Sequence, residues 1–314
     1  MTLPDSKTFS EYIPERRGYT GDVGRVLAAI LFLAGAAPWL PAQSDPSPPG
    51  IRELKDVERS AGFKPTGNFE RLDPGITAYY RCYYTGKLKL PQSYDELDLR
   101  EGTKDGCALE ANKYDIFFYP IEAVASGHAP VTEGLAKDTP ERVATVVSHE
   151  DFHEQVKDLP DRIAEAAATL AGFLTGEAAL GSGHAGPDEA ALFLVKSDLV
   201  NRYFDRLSTI YRRERRNQMT EAAALAQKQQ LLNSLERECR AIHPDPRSFN
   251  KCVSAPNNAG LAFDHTYTMY YPLLYRVYLG CGKDLKCTVG RILAAPRKRG
   301  EKETAAYFRT IAAE

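Results

Sequence analysis

The sequence predicts an α+β protein, with a small β-containing portion preceding a helix-rich body. Two aromatic runs, residues 76–84 (ITAYYRCYY) and 114–119 (YDIFFY), are bounded by Gly, Pro and Asp, as strands are. Beyond Asp138 the pattern changes to long stretches of helical period, with charges on one side and Leu, Phe and Tyr on the other. With 314 residues, 43% hydrophobic and 26% charged, the chain can bury a core of ordinary globular composition.

The elements follow in order. Residues 1–25 are polar and carry Arg16, Arg17 and Arg25, and residues 26–40 (VLAAILFLAGAAPWL) are apolar. A basic flank, a short apolar run and a small-residue exit predict a signal peptide or N-terminal anchor over 1–42. A Pro-rich linker occupies 43–50, and one domain occupies 51–314. Thr139, Pro140 and Glu141 give a hydroxyl cap, a proline in the first helical position and an acid at the positive end of the dipole. They predict a helix to about Val156, broken by Asp158-Leu159-Pro160, then a second helix from Pro160 to about Leu174. Residues 187–242 predict two longer helices in a hairpin, and 257–279 and 301–313 complete the helical half.

Forty Lys and Arg against 42 Asp and Glu leave a charge of −2, which argues against a nucleic-acid binder. No stretch has the look of a secure transmembrane span, so a membrane enters only through an uncleaved N-terminal anchor. Six cysteines fall as neighbouring couples: Cys82 and Cys107, Cys239 and Cys252, Cys281 and Cys287. An exported chain permits three disulfides, although six cysteines allow about 15 pairings that spacing does not choose between. The expected location is periplasmic or secreted.

Within the helix that opens at Pro140 lies His149-Glu150-Asp151-Phe152-His153, an HExxH motif. Residues four apart share a helix face, so both imidazoles can converge on one ion. Glu150 is rotated off that face and can reach a water on the ion without ligating it. Two imidazoles and a carboxylate suit Zn²⁺ with an open fourth position, and the ion brings the water's pKa toward about 7. With 6 His and 23 Glu in the chain, the chance expectation of the motif is roughly 0.008, too low for coincidence. For the third ligand, Glu165 lies 12 positions after His153, and Glu177, His184 and Asp188 are rivals on distance alone.

These residues resemble the glutamate-zincin metallopeptidases, in which a helix after HExxH carries a zinc-binding Glu. IAEAAATLAGF (163–173) is similar to the aminopeptidase pattern, in particular that of the bacterial family of predicted exported zinc aminopeptidases. The aromatic strand at 114–120, the 12-position gap, and Asn257-Asn258-Ala259 followed by Tyr267 also resemble that family, across roughly residues 75–295. The resemblance implies a zincin-like metallopeptidase domain with His149, His153 and Glu165 as metal ligands and Glu150 as general base. Glu177 would lie roughly 18 Å further along an unbroken helix. Departures are Ala164 where Asn precedes the third ligand, Asp151-Phe152 inside the motif, and Ala36 after Leu33-Ala34-Gly35 in place of a lipid-attachment Cys.

Other signals are weaker. Tyr267, Tyr270 and Tyr271 crowd one turn; core packing accounts for most such clusters, and Tyr267 is the candidate hydrogen-bond donor to an oxyanion. His128, His184, His243 and His265 are scattered, and His265 stands nearest Tyr267 in sequence. Arg212, Arg213, Arg215 and Arg216 read as a solvated helix face, and Pro296-Arg297-Lys298-Arg299 as a basic loop. The expected function is a zinc-dependent peptidase acting on peptides, with an aminopeptidase as the family's implication. The alternative is an exported metal-binding or peptide-binding protein without turnover. Retention of Glu150 favours the enzyme.

Overall fold

Ile51, Leu54 and Ala61 recur at helical spacing and turn inward, forming α1 (Ile51–Ala61), a helix that the sequence reading did not mark ahead of the strands. The computed structural model describes residues 50–124, 126–181, 188–243 and 252–313. The apolar segment at 26–40, the linker ahead of Gly50 and His184 lie outside them. The architecture is α+β, as the sequence predicts.

Two short strands, β1 (Leu72–Asp73) and β5 (Val131–Thr132), pair in parallel. The main sheet is antiparallel, in the order β3-β2-β4, with β2 at Tyr79–Gly86, β3 at Asp98–Glu101 and β4 at Tyr114–Ile121. Its register sets Cys82 opposite Phe118 and Tyr83 opposite Phe117. Alternation along β2 and β4 sends Tyr83 and Phe117 into the core, where Phe263 packs on both rings.

After α2 (Glu133–Ala136), Thr139 caps α3 (Pro140–Val156), its Oγ1 accepting from the Arg142 N–H at 3.3 Å. Pro160 leads into α4 (Asp161–Leu180), which runs a turn and a half beyond the expected end. The Ala, Gly, Leu and Phe content of α4 has no polar stripe, and every residue from Ile163 to Gly176 is buried. By length and composition α4 could cross a membrane, contrary to the sequence expectation, yet 78% of its apolar window is buried inside the protein. It is the central core helix.

The expected hairpin is α5 (Glu189–Arg215) and α6 (Glu221–Arg240), with its own apolar core. The stretch expected over 257–279 is two helices, α7 (Asn258–Thr268) and α8 (Tyr271–Gly280), because Pro272 can sit only in the first turn of a new helix. The helices α9 (Leu285–Leu293) and α10 (Glu301–Ile311) close the chain, α9 unforeseen from sequence. Three disulfides join each cysteine to its sequence neighbour: Cys82–Cys107, Cys239–Cys252 and Cys281–Cys287. They fit an extracellular or periplasmic protein.

Helices α3 and α4 touch along their backbones. A Cβ at Gly172 would lie 2.7 Å from the Thr145 carbonyl oxygen and 3.2 Å from the His149 Cβ, and one at Gly176 would lie 3.2 Å from Thr145 Oγ1. Glycine therefore sets the spacing between the helix of HExxH and the helix of Glu165. Gly172→Ala should destabilise the protein by about 1–3 kcal/mol in urea or thermal denaturation, since the added methyl must push α3 away. Unchanged stability would mean that the helices do not approach so closely.

Candidate metal centre

The i, i+4 spacing on α3 puts His149 and His153 side by side, and the close helix contact brings Glu165 of α4 against them. The two Nε2 atoms are 3.0 Å apart, and Glu165 Oε2 is 3.4 Å from His149 Nε2 and 3.2 Å from His153 Nε2. A tetrahedral zinc bound at about 2.0–2.1 Å holds its ligand atoms about 3.3 Å from one another. The three atoms thus form a triangle of the size that one face of such a site requires, and could hold a metal ion. Glu165 Oε2 is buried and makes no hydrogen bond. Together with the two imidazole nitrogens it could serve as a ligand atom.

Burial is uneven. His149 and Glu165 have side-chain exposures of only 3% and 9%, whereas His153 retains 21%, so solvent reaches the triangle from its side. Glu150 lies one residue round the helix from His149. Its charge raises the pKa values of His153, Tyr119 and Tyr267. Tyr267 is buried on α7, its ring 6.2 Å from that of His149. Burial, then the Glu165 charge, pushes its phenol well above the ordinary value, so it stays a hydrogen-bond donor.

Electrostatics divides the three groups. Burial drives His149 down to about 4, although Glu165 and a hydrogen bond with the Ala168 backbone pull the other way. For His153 burial is again the largest influence and lowers the pKa. The charge and hydrogen bond of Glu165, with the charges of Glu150 and Glu154, together exceed it and raise the ring to about 9. Burial alone would raise Glu165; the imidazoles overcome it and hold the carboxyl far below its usual range.

A second set of residues was not visible in the sequence. Tyr94, in a 3₁₀ turn at Tyr94–Glu96, donates from its hydroxyl to Glu165 Oε1 at 2.6 Å. Behind α3, Asp151 is buried and held by Lys55, by Thr66 Oγ1 at 2.5 Å and by Asn68 Nδ2 at 3.1 Å. Asp151 is 200° round the helix from His149, so it lies neither beside the site nor in solvent but under it. Ser148 donates to Glu58 Oε1 at 3.0 Å, and burial, then the Asp151 charge, pushes Glu58 up to about 8.

Several expected candidates stand elsewhere. Glu177 is exposed on the same unbroken helix as Glu165, and Asp188 caps α5 through the Ala191 N–H at 2.8 Å. His265 stacks on Phe204 with ring centres 3.6 Å apart and donates from Nδ1 to the Gln92 carbonyl at 2.8 Å. Tyr270 donates to Glu301 at 2.5 Å and Tyr271 to the Ala190 carbonyl at 2.9 Å. The basic loop is partly structural, since Arg297 donates to the Gln155 carbonyl at 3.0 Å near the C-terminal end of α3.

No family model, curated protein or solved structure matches the chain.

Glu165→Gln should weaken zinc binding sharply while Glu177→Gln leaves it intact, as measured by competition with a chelator; the reverse order would put the ligand elsewhere. In the metal-free protein His153 is protonated at neutral pH, and a divalent ion must displace that proton. Zinc binding at pH 7 should therefore release about one proton from His153, and affinity should climb as pH rises toward 9. Calorimetry in buffers of different ionisation enthalpy counts the proton, and a count of zero would contradict a protonated His153.

Proposed function

We propose that the protein is an exported zinc-dependent peptidase, with His149, His153 and Glu165 as the metal ligands and Glu150 as the general base. The main support is the Nε2, Nε2, Oε2 triangle, with sides of 3.0, 3.4 and 3.2 Å, built on two rigid helices. Three protein ligands of the His₂Glu type leave a coordination position open, which is the pattern of catalytic rather than structural zinc. When bound, Zn²⁺ polarises a carbonyl and lowers the pKa of water toward about 7.

The chain's own groups account for the remaining tasks. Glu150, next to a ligand but rotated off the ligand face, takes the proton from the attacking water and later returns it to the departing amine. Tyr267, kept protonated by burial, offers its hydroxyl to the oxyanion that forms as the carbonyl is attacked. The more exposed edge, at His153, is the side from which a peptide would approach. Zinc aminopeptidases, which the chain resembles around 149–173, act on free amino termini, so peptides with a free terminus are the proposed substrates.

Glu150→Gln should keep stoichiometric zinc, checked by elemental analysis, and lose about 10²–10⁴-fold in peptide hydrolysis. A mixed peptide library with free and blocked amino termini separates the modes of cleavage. Internal cleavage of blocked peptides would remove the aminopeptidase assignment and leave the metallopeptidase. A zinc-loaded protein that cleaves nothing would instead favour metal or peptide binding without turnover.

A further inference from the structure

We propose that Tyr94 is a positioning residue of the metal centre, fixing the Glu165 carboxylate so that it offers one oxygen to the metal and withholds the other. The proposal rests on the zinc assignment above. Glu165 Oε2 faces the two imidazoles, while Oε1 accepts the Tyr94 hydroxyl at 2.6 Å. A carboxylate with both oxygens available can rotate or bind in bidentate fashion, filling the position that substrate or water needs. A strong hydrogen bond to Oε1 opposes both movements, because the buried phenol would have to give up a charge-assisted partner.

Tyr94 is itself held in place. Its backbone N–H donates to Thr266 Oγ1 at 2.8 Å, and two residues earlier the Gln92 carbonyl accepts from His265 Nδ1 at 2.8 Å. Both anchors belong to α7, so the turn that carries Tyr94 is docked on a helix. Its ring packs against Phe263 and Tyr267 at centroid distances of 5.9 and 6.1 Å. A loosely tethered surface tyrosine could not hold a ligand to a fraction of an ångström; one fixed by backbone and ring together can.

The test uses the full chain in wild-type, Y94F and T266A forms, loaded with Zn²⁺ for affinity and with Co²⁺ for its visible spectrum. Y94F keeps the ring contacts and removes only the hydroxyl. Its zinc dissociation constant should rise about 10–100-fold. Its cobalt absorption should weaken toward that of a higher-coordinate ion, as Oε1 joins the metal. T266A keeps the hydroxyl but cuts the backbone anchor, and should move both readouts in the same direction by less. If Y94F fails to fold, T266A decides. Wild-type binding with unaltered affinity and spectrum in a folded Y94F, or in T266A where that variant decides, overturns the role of Tyr94 alone. A wild-type chain that binds neither ion overturns the metal site together with it.

Discussion

Glu165 is the one charged side chain in a helix segment, Ile163 to Gly176, that is buried throughout. An ionised carboxylate in such surroundings costs several kcal/mol unless opposite charge and hydrogen bonds compensate it. Neutralisation by proton uptake would be the ordinary solution. Here it does not occur: desolvation is the largest single influence, but the charges and hydrogen bonds of His153 and His149 together exceed it, and the carboxyl stays ionised. Much of the surrounding structure serves that outcome. The glycines of α4 let α3 come close enough for the imidazoles to reach Oε2, and the turn at Tyr94 supplies a donor to Oε1.

Rigidity reaches the site from two directions. On the far face of α3, Asp151 is locked by Lys55, Thr66 and Asn68, so a helix with the two imidazoles on one face is clamped by a buried polar network on the other. Helix α7 is pinned to α5 by the buried pair Lys196 and Asp264, 3.2 Å apart, while Asp264 also takes the Ser254 N–H at 2.6 Å and hydroxyl at 2.9 Å. Since α7 in turn holds residues 92–94, the chain of contacts runs from α5 through α7 and Tyr94 to Glu165. Asn258 extends the same ordering to the sheet, donating to the Lys87 and Lys89 carbonyls at 3.0 and 2.9 Å beside β2.

Legibility in the sequence followed distance along the chain. The α3 start was readable because cap, proline and acid act on adjacent residues, and the histidine pair because four positions make one turn. The Glu165 position was readable only through the resemblance and the Pro160 break. Tyr94 was not, since 71 positions separate it from its partner and no local pattern marks a tyrosine for such a contact. The buried setting of Asp151 was not legible for a related reason: its partners Lys55, Thr66 and Asn68 lie far from it in sequence. The helical character of 257–279 was legible, but its division into two helices was not. Pro272 carried the signal for a new start, but the apolar pattern runs through it on both sides.

The disulfides bear on the donor set of the metal site. Among the described residues no cysteine is free. An oxidising compartment would take thiolate ligands into disulfides, whereas imidazole and carboxylate are indifferent to it. Structural zinc is commonly held by four protein ligands with cysteines prominent among them; a His₂Glu set is both resistant to oxidation and one ligand short of closure. The same three residues would therefore suit both an oxidising compartment and the proposed reaction, which needs an open position. A helix pair is the economical frame for them, because it takes two ligands from one turn of α3 and needs only one long-range contact, to α4, to complete the set.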